Sequence, residues 1–181
     1  MEPATIRRAD PHSDATACVA IYAPYIESGA TSFEEEPPEP AAFGERIAAI
    51  AATYPWLVAE RDGEVVGFSY ACPHRARPAY RWAVEVSVYV ASEEHRRGTG
   101  RALYLELTER LRRQRFHVAC AGITLPNEAS VALHESLGFV AVGVYRRIGW
   151  KDGAWRDVGW WQLELQPPGE GRPPEPLPPE P

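Results

Sequence analysis

Hydrophobic positions along this chain change period several times, and each change marks an element. "TIRRA" (residues 5–9) reads as a short strand, with Asp14 standing where the cap of a following helix would sit. Cys18, Ile21, Tyr22, Tyr25 and Ile26 then recur at spacings of three and four, which predicts an amphipathic helix stopping near Gly29. "SFEEEPPEP" is acidic and proline-rich and predicts a loop, in which Phe33 would lie exposed unless it lines something. Phe43, Ile47, Ile50 and Tyr54 predict a second helix ended by Pro55. Two strand-like runs flank Asp62-Gly63, a strong hairpin signal. In "AVEVSVYVA" the period is two: Val84, Val86, Val88 and Val90 face one way, and Glu85, Ser87 and Tyr89 the other.

After the glycine stretch "HRRGTG", Leu103, Leu107 and Leu111 predict a helix of about four turns. "HVACAGITL" reads as a strand. A short helix follows, opened by Asn127 and closed at Gly138, and the last two strands turn at "KDG". Strands dominate the middle and then alternate with helices, so the expected class is α+β with a mixed, mostly antiparallel sheet. Residues 1–165 form the expected domain. Residues 166–181, eight of them proline, read as a disordered tail outside it.

Composition narrows the function classes. A net charge of -6 argues against a nucleic-acid surface, and no stretch is apolar and long enough to span a bilayer. The opening residues lack the apolar core of a signal peptide, so the expected location is the cytoplasm. Cys18, Cys72 and Cys120 are odd in number and widely spaced, which suits free thiols in a reducing compartment. "HESLG" begins like a zinc-protease motif, but Gly138 stands at the second histidine position; no metal is expected.

The glycine stretch carries the first chemical signal. A strand, a glycine turn and a helix start make an anion site, because first-turn N–H groups lack helical partners and the helix dipole is positive there. The P-loop pattern fails for want of a lysine, and the dinucleotide fingerprint fails at its third glycine, where this chain has a leucine. On these six residues alone a plain turn is as good a reading. Glu85 lies mid-strand just upstream, where partial removal from water would make a carboxylate a better base. The alternative is a solvated face of an antiparallel strand. His134, in the short helix, reads on its own as structural.

Together, "YPWLVAERDGEVVGFSYA", the Glu85 strand, the glycine loop, "LPNEASVALHESLGF" and "DVGWWQ" resemble the GNAT superfamily of N-acetyltransferases, in particular its phosphinothricin acetyltransferase branch, over about residues 5–165. The resemblance implies the GNAT fold and acetyl-CoA as co-substrate. Its pantetheine amides would pair with the backbone of Val88, Tyr89 and Val90, and its pyrophosphate would rest on the loop of Arg96, Arg97, Gly98, Thr99, Gly100 and Arg101. Asn127, assisted by Ser130, would bond the pantetheine arm. Glu85 would act as general base and His134, where relatives carry a tyrosine, would bond or protonate the leaving thiolate. The implied acceptor is a small amino-acid-like amine of the phosphinothricin or methionine sulfoximine/sulfone type, met by Phe33, Arg75, Arg77 and Tyr80, with herbicide resistance as a consequence. A peptide N-terminus, an antibiotic amine, or a silent CoA-sensing role are the rival implications. Relatives pair as homodimers, so a homodimer is expected. His95 departs from the Gln or Arg that usually opens the loop.

Overall fold

A computed structural model describes residues 4–167 and 169–180. Among the described residues seven strands form one sheet: β1 (Thr5–Arg8), β2 (Trp56–Arg61), β3 (Glu64–Pro73), β4 (Ala83–Val90), β5 (Val118–Leu125), β6 (Val140–Lys151) and β7 (Ala154–Glu164). Their order is β1-β2-β3-β4-β5-β7-β6, and every neighbouring pair is antiparallel except β4 and β5. Four helices flank it: α1 (Ala15–Glu27), α2 (Pro40–Ala51), α3 (Thr99–Arg113) and α4 (Glu128–Ser136). The α+β class and the mixed sheet stand as the pattern predicts.

The alternation in β4 divides the core. Val84, Val86 and Val90 are buried with Leu103, Leu107 and Leu111 of α3 on one face. On the other, Tyr89 packs with Tyr22, Phe43, Trp56 and Phe68 beneath α1 and α2. The central strand therefore has apolar cover on both sides, while Glu85 and Ser87 share a face with Tyr89. Asp62 and Gly63 both take positive φ (53° and 82°), as do Asp152 and Gly153 (50° and 68°), the backbone of tight primed hairpin turns.

Two local expectations shift. Asp14 holds the N-cap position but makes no side-chain cap. Its buried carboxylate instead accepts both terminal guanidinium nitrogens of Arg7, at 2.6 and 2.8 Å, and the Asp10 N–H at 2.7 Å. Helix α2 ends at Ala51, short of Tyr54, because a residue just before proline disfavours helical backbone; the Tyr54 ring stacks on Phe116 at 5.6 Å.

The proline-rich stretch runs back along the molecule. The Trp82 indole donates to the Pro174 carbonyl at 2.8 Å, and Gln114 and Leu177 exchange two hydrogen bonds of 2.8 Å. Extended proline-rich chain keeps its carbonyls free for such contacts, a property composition alone does not convert into a docking place. Among the described residues no helix is long and apolar enough to cross a membrane.

Gly44 sets the approach of α2 to the chain before α1: a methyl there would stand 2.6 Å from the Pro11 carbonyl oxygen. Gly44→Ala raises helix propensity by about 1 kcal/mol, yet the clash with fixed backbone is expected to win, for a net loss of about 1–3 kcal/mol. A rise in the denaturant midpoint of this variant would contradict that packing.

Candidate active site

The site begins where β4 and β5 part. Their pairing runs only from Ala83↔Val118 to Glu85↔Cys120. Beyond it β4 keeps β3 on one side and has an open edge on the other. The Ala91 N–H bonds the Val66 carbonyl, so the alternating ladder turns the peptide groups of Ala91, Tyr89 and Ser87 toward β3. The open edge thus begins at the Val86 carbonyl and continues through the backbone of Val88 and Val90. That corrects the sequence-based assignment for Tyr89, whose backbone is used by β3; its side chain instead lines the gap. At Val90 the open edge is already met, since the Tyr25 hydroxyl donates to its carbonyl at 2.6 Å.

The gap is a narrow cavity of about 60 Å³ whose walls include Ser87, Val88, Tyr89, Tyr104, Asn127, Ser130 and His134. Through Thr31, Tyr89, Gly122 and Thr124 it meets a wider groove of about 470 Å³ that also holds Phe33, Glu34 and Val158. Phe33 is 41% exposed, its ring laid against Gly149 of β6, where any side chain would collide with it. It does line something.

At the far end of β4 the glycine loop enters α3. Gly98 takes φ 84° just before the helix, a conformation a side chain would oppose. The N–H groups of Thr99, Gly100 and Arg101 form the free first turn, and helical bonding starts with Ala102 to the Gly98 carbonyl. The Arg97 N–H is held by the Glu94 carbonyl at 3.3 Å, which removes it from the donor set. The Arg97 guanidinium is engaged as well, on the Glu94 carboxylate at 3.0 Å, and Arg101 reaches Ser136 on α4. Arg96 is exposed, with φ 62°.

Glu94 anchors this loop. Its carboxylate is 3% exposed and accepts from Arg61 twice at 3.1 Å, from Arg97, and from the Thr99 hydroxyl at 2.9 Å. Burial, the largest single influence, would push its carboxyl up; Thr99, Arg61 and Arg97 together outweigh burial and hold it below the usual carboxylate range. His95 also finds a place. Because the Tyr25 hydroxyl gives its proton to Val90, His95 Nε2–H donates to the Tyr25 oxygen at 3.0 Å, tying loop to strand.

Glu85 sits in a row across three strands, between Cys72 on β3 and Cys120 on β5. Its side chain is 29% exposed and takes His74 Nδ1 at 2.9 Å, with the Arg75 guanidinium 3.7 Å away. Burial pushes the Cys72 thiol up to about 11 and raises the Cys120 thiol too, so both remain uncharged near neutrality. Tyr80 reaches this cluster edge-on to His74, with centroids 5.8 Å apart. Arg77 does not join it; its carbonyl accepts the Tyr80 N–H in a single turn, Pro78–Tyr80.

At the opposite wall Asn127 caps α4, its carbonyl oxygen accepting the Ser130 N–H at 3.1 Å and leaving its NH2 as a donor. His134 is buried. Its Nδ1 lies 2.7 Å from the Ser130 carbonyl, which can only accept, so Nδ1 carries the proton and Nε2 accepts from the Tyr104 hydroxyl at 3.0 Å. Burial lowers its pKa and keeps the ring neutral. With both nitrogens engaged, His134 is not a ready proton donor, against the acid role the sequence suggested. Tyr104, Glu94, Tyr25 and His74 escaped the sequence reading, since each acquires its meaning from a partner distant in the chain or hidden in the loop.

Residues 7–160 match the acetyltransferase (GNAT) domain family. This chain belongs to the GNAT acetyltransferases. It is 42% identical over 175 residues to the phosphinothricin N-acetyltransferase of Streptomyces viridochromogenes, covering 97% of this chain and 95% of that one. A phosphinothricin acetyltransferase from Sinorhizobium meliloti, solved in complex with acetyl-CoA, superposes with a TM-score of 0.90 at 35% identity, covering 96% and 95% of the two chains. A ribosomal-protein-alanine N-acetyltransferase from Brucella melitensis superposes with a TM-score of 0.85 at 37% identity, covering 88% and 99%. The enzyme is an acetyl-CoA-dependent N-acetyltransferase. The residues present fit that co-substrate: first-turn N–H groups suit a pyrophosphate, and the unpaired strand edge from the Val86 carbonyl through Val88 suits the amides of an extended arm.

The Glu94 anchor makes a measurable claim. Glu94→Gln leaves Arg61 and Arg97 sharing a neutral oxygen, with an expected loss of about 2 kcal/mol in stability. Acetyl-CoA affinity should fall by about tenfold as the loop loosens. Since the folded carboxyl is depressed, its contribution is full above the unfolded value of about 4.3 and is lost as pH falls through the lower folded value. The gap between the unfolding midpoints of the two proteins should therefore be widest above the unfolded value and narrow steadily as pH falls below it; a gap that does not narrow on acidification would refute the anchor.

Proposed function

We propose that this GNAT enzyme acetylates the amino group of a small amino-acid-like acceptor, of the phosphinothricin or methionine sulfoximine/sulfone type, with Glu85 as general base. The observation that carries the reading is the carboxylate of Glu85, which lies beside Arg75 on the same face of β4 as Ser87 and Tyr89, the residues that line the cavity and the wider groove next to it. An acceptor amine enters as ammonium, with a pKa of about 8–10, so it needs a base before it can attack. Glu85 takes that proton, directly or through one water. Arg75 lies within reach of an acidic group on the same acceptor, and Tyr80 and Phe33 bound its apolar part.

Acetyl-CoA supplies the acetyl group as a thioester. Val86 and Val88 orient its arm through their backbone, the Asn127 NH2 and Ser130 steady it, and Arg96, Gly98, Thr99, Gly100 and Arg101 seat its pyrophosphate. The leaving thiol has a conjugate pKa of about 8.5 and departs readily, so positioning contributes more than an acid. The neutral, doubly bonded His134 is consistent with a wall that fixes Tyr104.

The reading is tested by thiol release over an acceptor panel: phosphinothricin, methionine sulfone, methionine sulfoximine and a peptide beginning with alanine. Turnover is expected with the first three, and Glu85→Gln should lower it by about 10²–10⁴-fold while acetyl-CoA still shifts the melting curve. Unchanged turnover in Glu85→Gln would remove Glu85 as the base. Preference for the peptide would favour the activity named for the Brucella neighbour, and binding without turnover would leave a CoA sensor.

The enzyme is also proposed to work as a homodimer. β6 is an edge strand with Val140, Val142, Ile148 and Trp150 exposed at 69, 66, 57 and 57%. A long apolar edge invites pairing unless something covers it. Light scattering is expected to give twice the chain mass, reduced to one chain by Val142→Lys with Ile148→Lys; a one-chain mass for the unaltered protein would exclude the dimer.

A further inference from the structure

Glu85 has a neighbour that neither its strand nor the glycine loop announces. His74 follows the last residue of β3, and its N–H bonds the Ala83 carbonyl at 3.4 Å, so its backbone is tied to the start of β4. Its ring stands edge-on between two others, the Tyr80 ring at 5.8 Å and the Trp160 ring at 5.9 Å. Those contacts fix the plane of the imidazole. From that plane Nδ1 meets Glu85 Oε1 at 2.9 Å.

An ionised carboxylate only accepts, so Nδ1 must carry the proton. One oxygen of Glu85 is thereby occupied, and the other has no hydrogen-bond partner among the described residues. The remaining neighbours do not do this job. Arg75 approaches the same Oε1 at 3.7 Å, beyond hydrogen-bond range, from a side chain that is 48% exposed. Cys72 and Cys120, in register on either side, are uncharged thiols and weak donors. Trp160 brings no charge. Without His74 the Glu85 side chain would be free to swing among its rotamers or toward Arg75, and a swing of that kind carries a base out of line.

We propose that His74 is the positioning residue for Glu85: its fixed Nδ1–H holds one carboxylate oxygen so that the other faces the acceptor amine. This rests on the reading of Glu85 as general base. The ammonium proton passes to the free oxygen of Glu85, and His74 keeps its own proton throughout.

Three variants test it. His74→Phe keeps a ring between Tyr80 and Trp160 but removes the donor, and kcat is expected to fall by about 10–100-fold, the scale of a misplaced catalytic group. The KM for acetyl-CoA should stay within about twofold, as His74 lies away from its loop and strand edge. His74→Asn carries an N–H the same number of bonds from Cα and should recover most of the lost turnover, which a purely packing role would not allow. In a Glu85→Gln background His74→Phe should change kcat by less than about twofold, since there is no base left to orient. If Glu85→Gln is impaired while His74→Phe turns over like the unaltered enzyme, or His74→Asn is as slow as His74→Phe, the positioning role is wrong and the base assignment stands. If Glu85→Gln itself is unimpaired, the base assignment fails first and takes this one with it.

Discussion

The parallel pairing of β4 with β5 lasts for three residues and then stops. An unpaired strand edge in the middle of a sheet leaves backbone donors and acceptors that water or a ligand must satisfy. Every feature of the site is arranged around that gap. α4 and Asn127 form one wall, the groove beneath Phe33 opens from it, and the glycine loop closes its outer end. Only at Val90 does the protein fill the edge itself, through Tyr25. The remaining stretch is a ready template for an extended arm carrying amides, which is why the fold and its co-substrate belong together.

Loop and gap are mechanically joined. The glycines permit the loop conformation, but they do not hold it. Holding falls to Glu94, buried under two arginines and a threonine, and to the relay from His95 through Tyr25 to Val90. One clamp fixes the helix start proposed to seat the pyrophosphate, and the other ties the loop to the strand edge proposed to hold the arm. The arginines nearest the glycines serve this structure as much as any ligand: Arg97 on Glu94 and Arg101 on Ser136 are both committed. Among the loop arginines, Arg96 is the exposed one with no side-chain partner among the described residues, and so the one disposed to meet a phosphate.

How much of this could be read from the chain follows from range. Period-two alternation in β4, the Asp62-Gly63 turn and the Asn127 cap are local, and the sequence carries them directly. Asp14 misleads because its carboxylate has a better offer from Arg7, seven residues back, than from its own helix. The proline-rich end is similar: composition speaks of chain stiffness and polarity, while its contacts with Trp82 and Gln114 depend on surfaces built elsewhere. The Tyr89 peptide could be placed on the wrong side only because a strand pattern fixes side-chain faces and leaves open which neighbour takes the backbone. His74 gives no local signal at all. It sits in a basic loop, and only the register of β3 on β4 brings it to Glu85.

The two ends of the reacting pair are furnished unequally, and the difference has a physical sense. At the wall where the proposed thioester would lie, His134 spends both nitrogens on Ser130 and Tyr104, and burial keeps it neutral. Where the proposed acceptor amine would enter, Glu85 is partly exposed and hydrogen-bonded to a histidine, with an arginine close by. A thiolate leaves without help at neutral pH, whereas an ammonium cannot attack until it loses a proton. In the proposed reaction the polar groups therefore collect where the barrier is, and the opposite wall has only to be still.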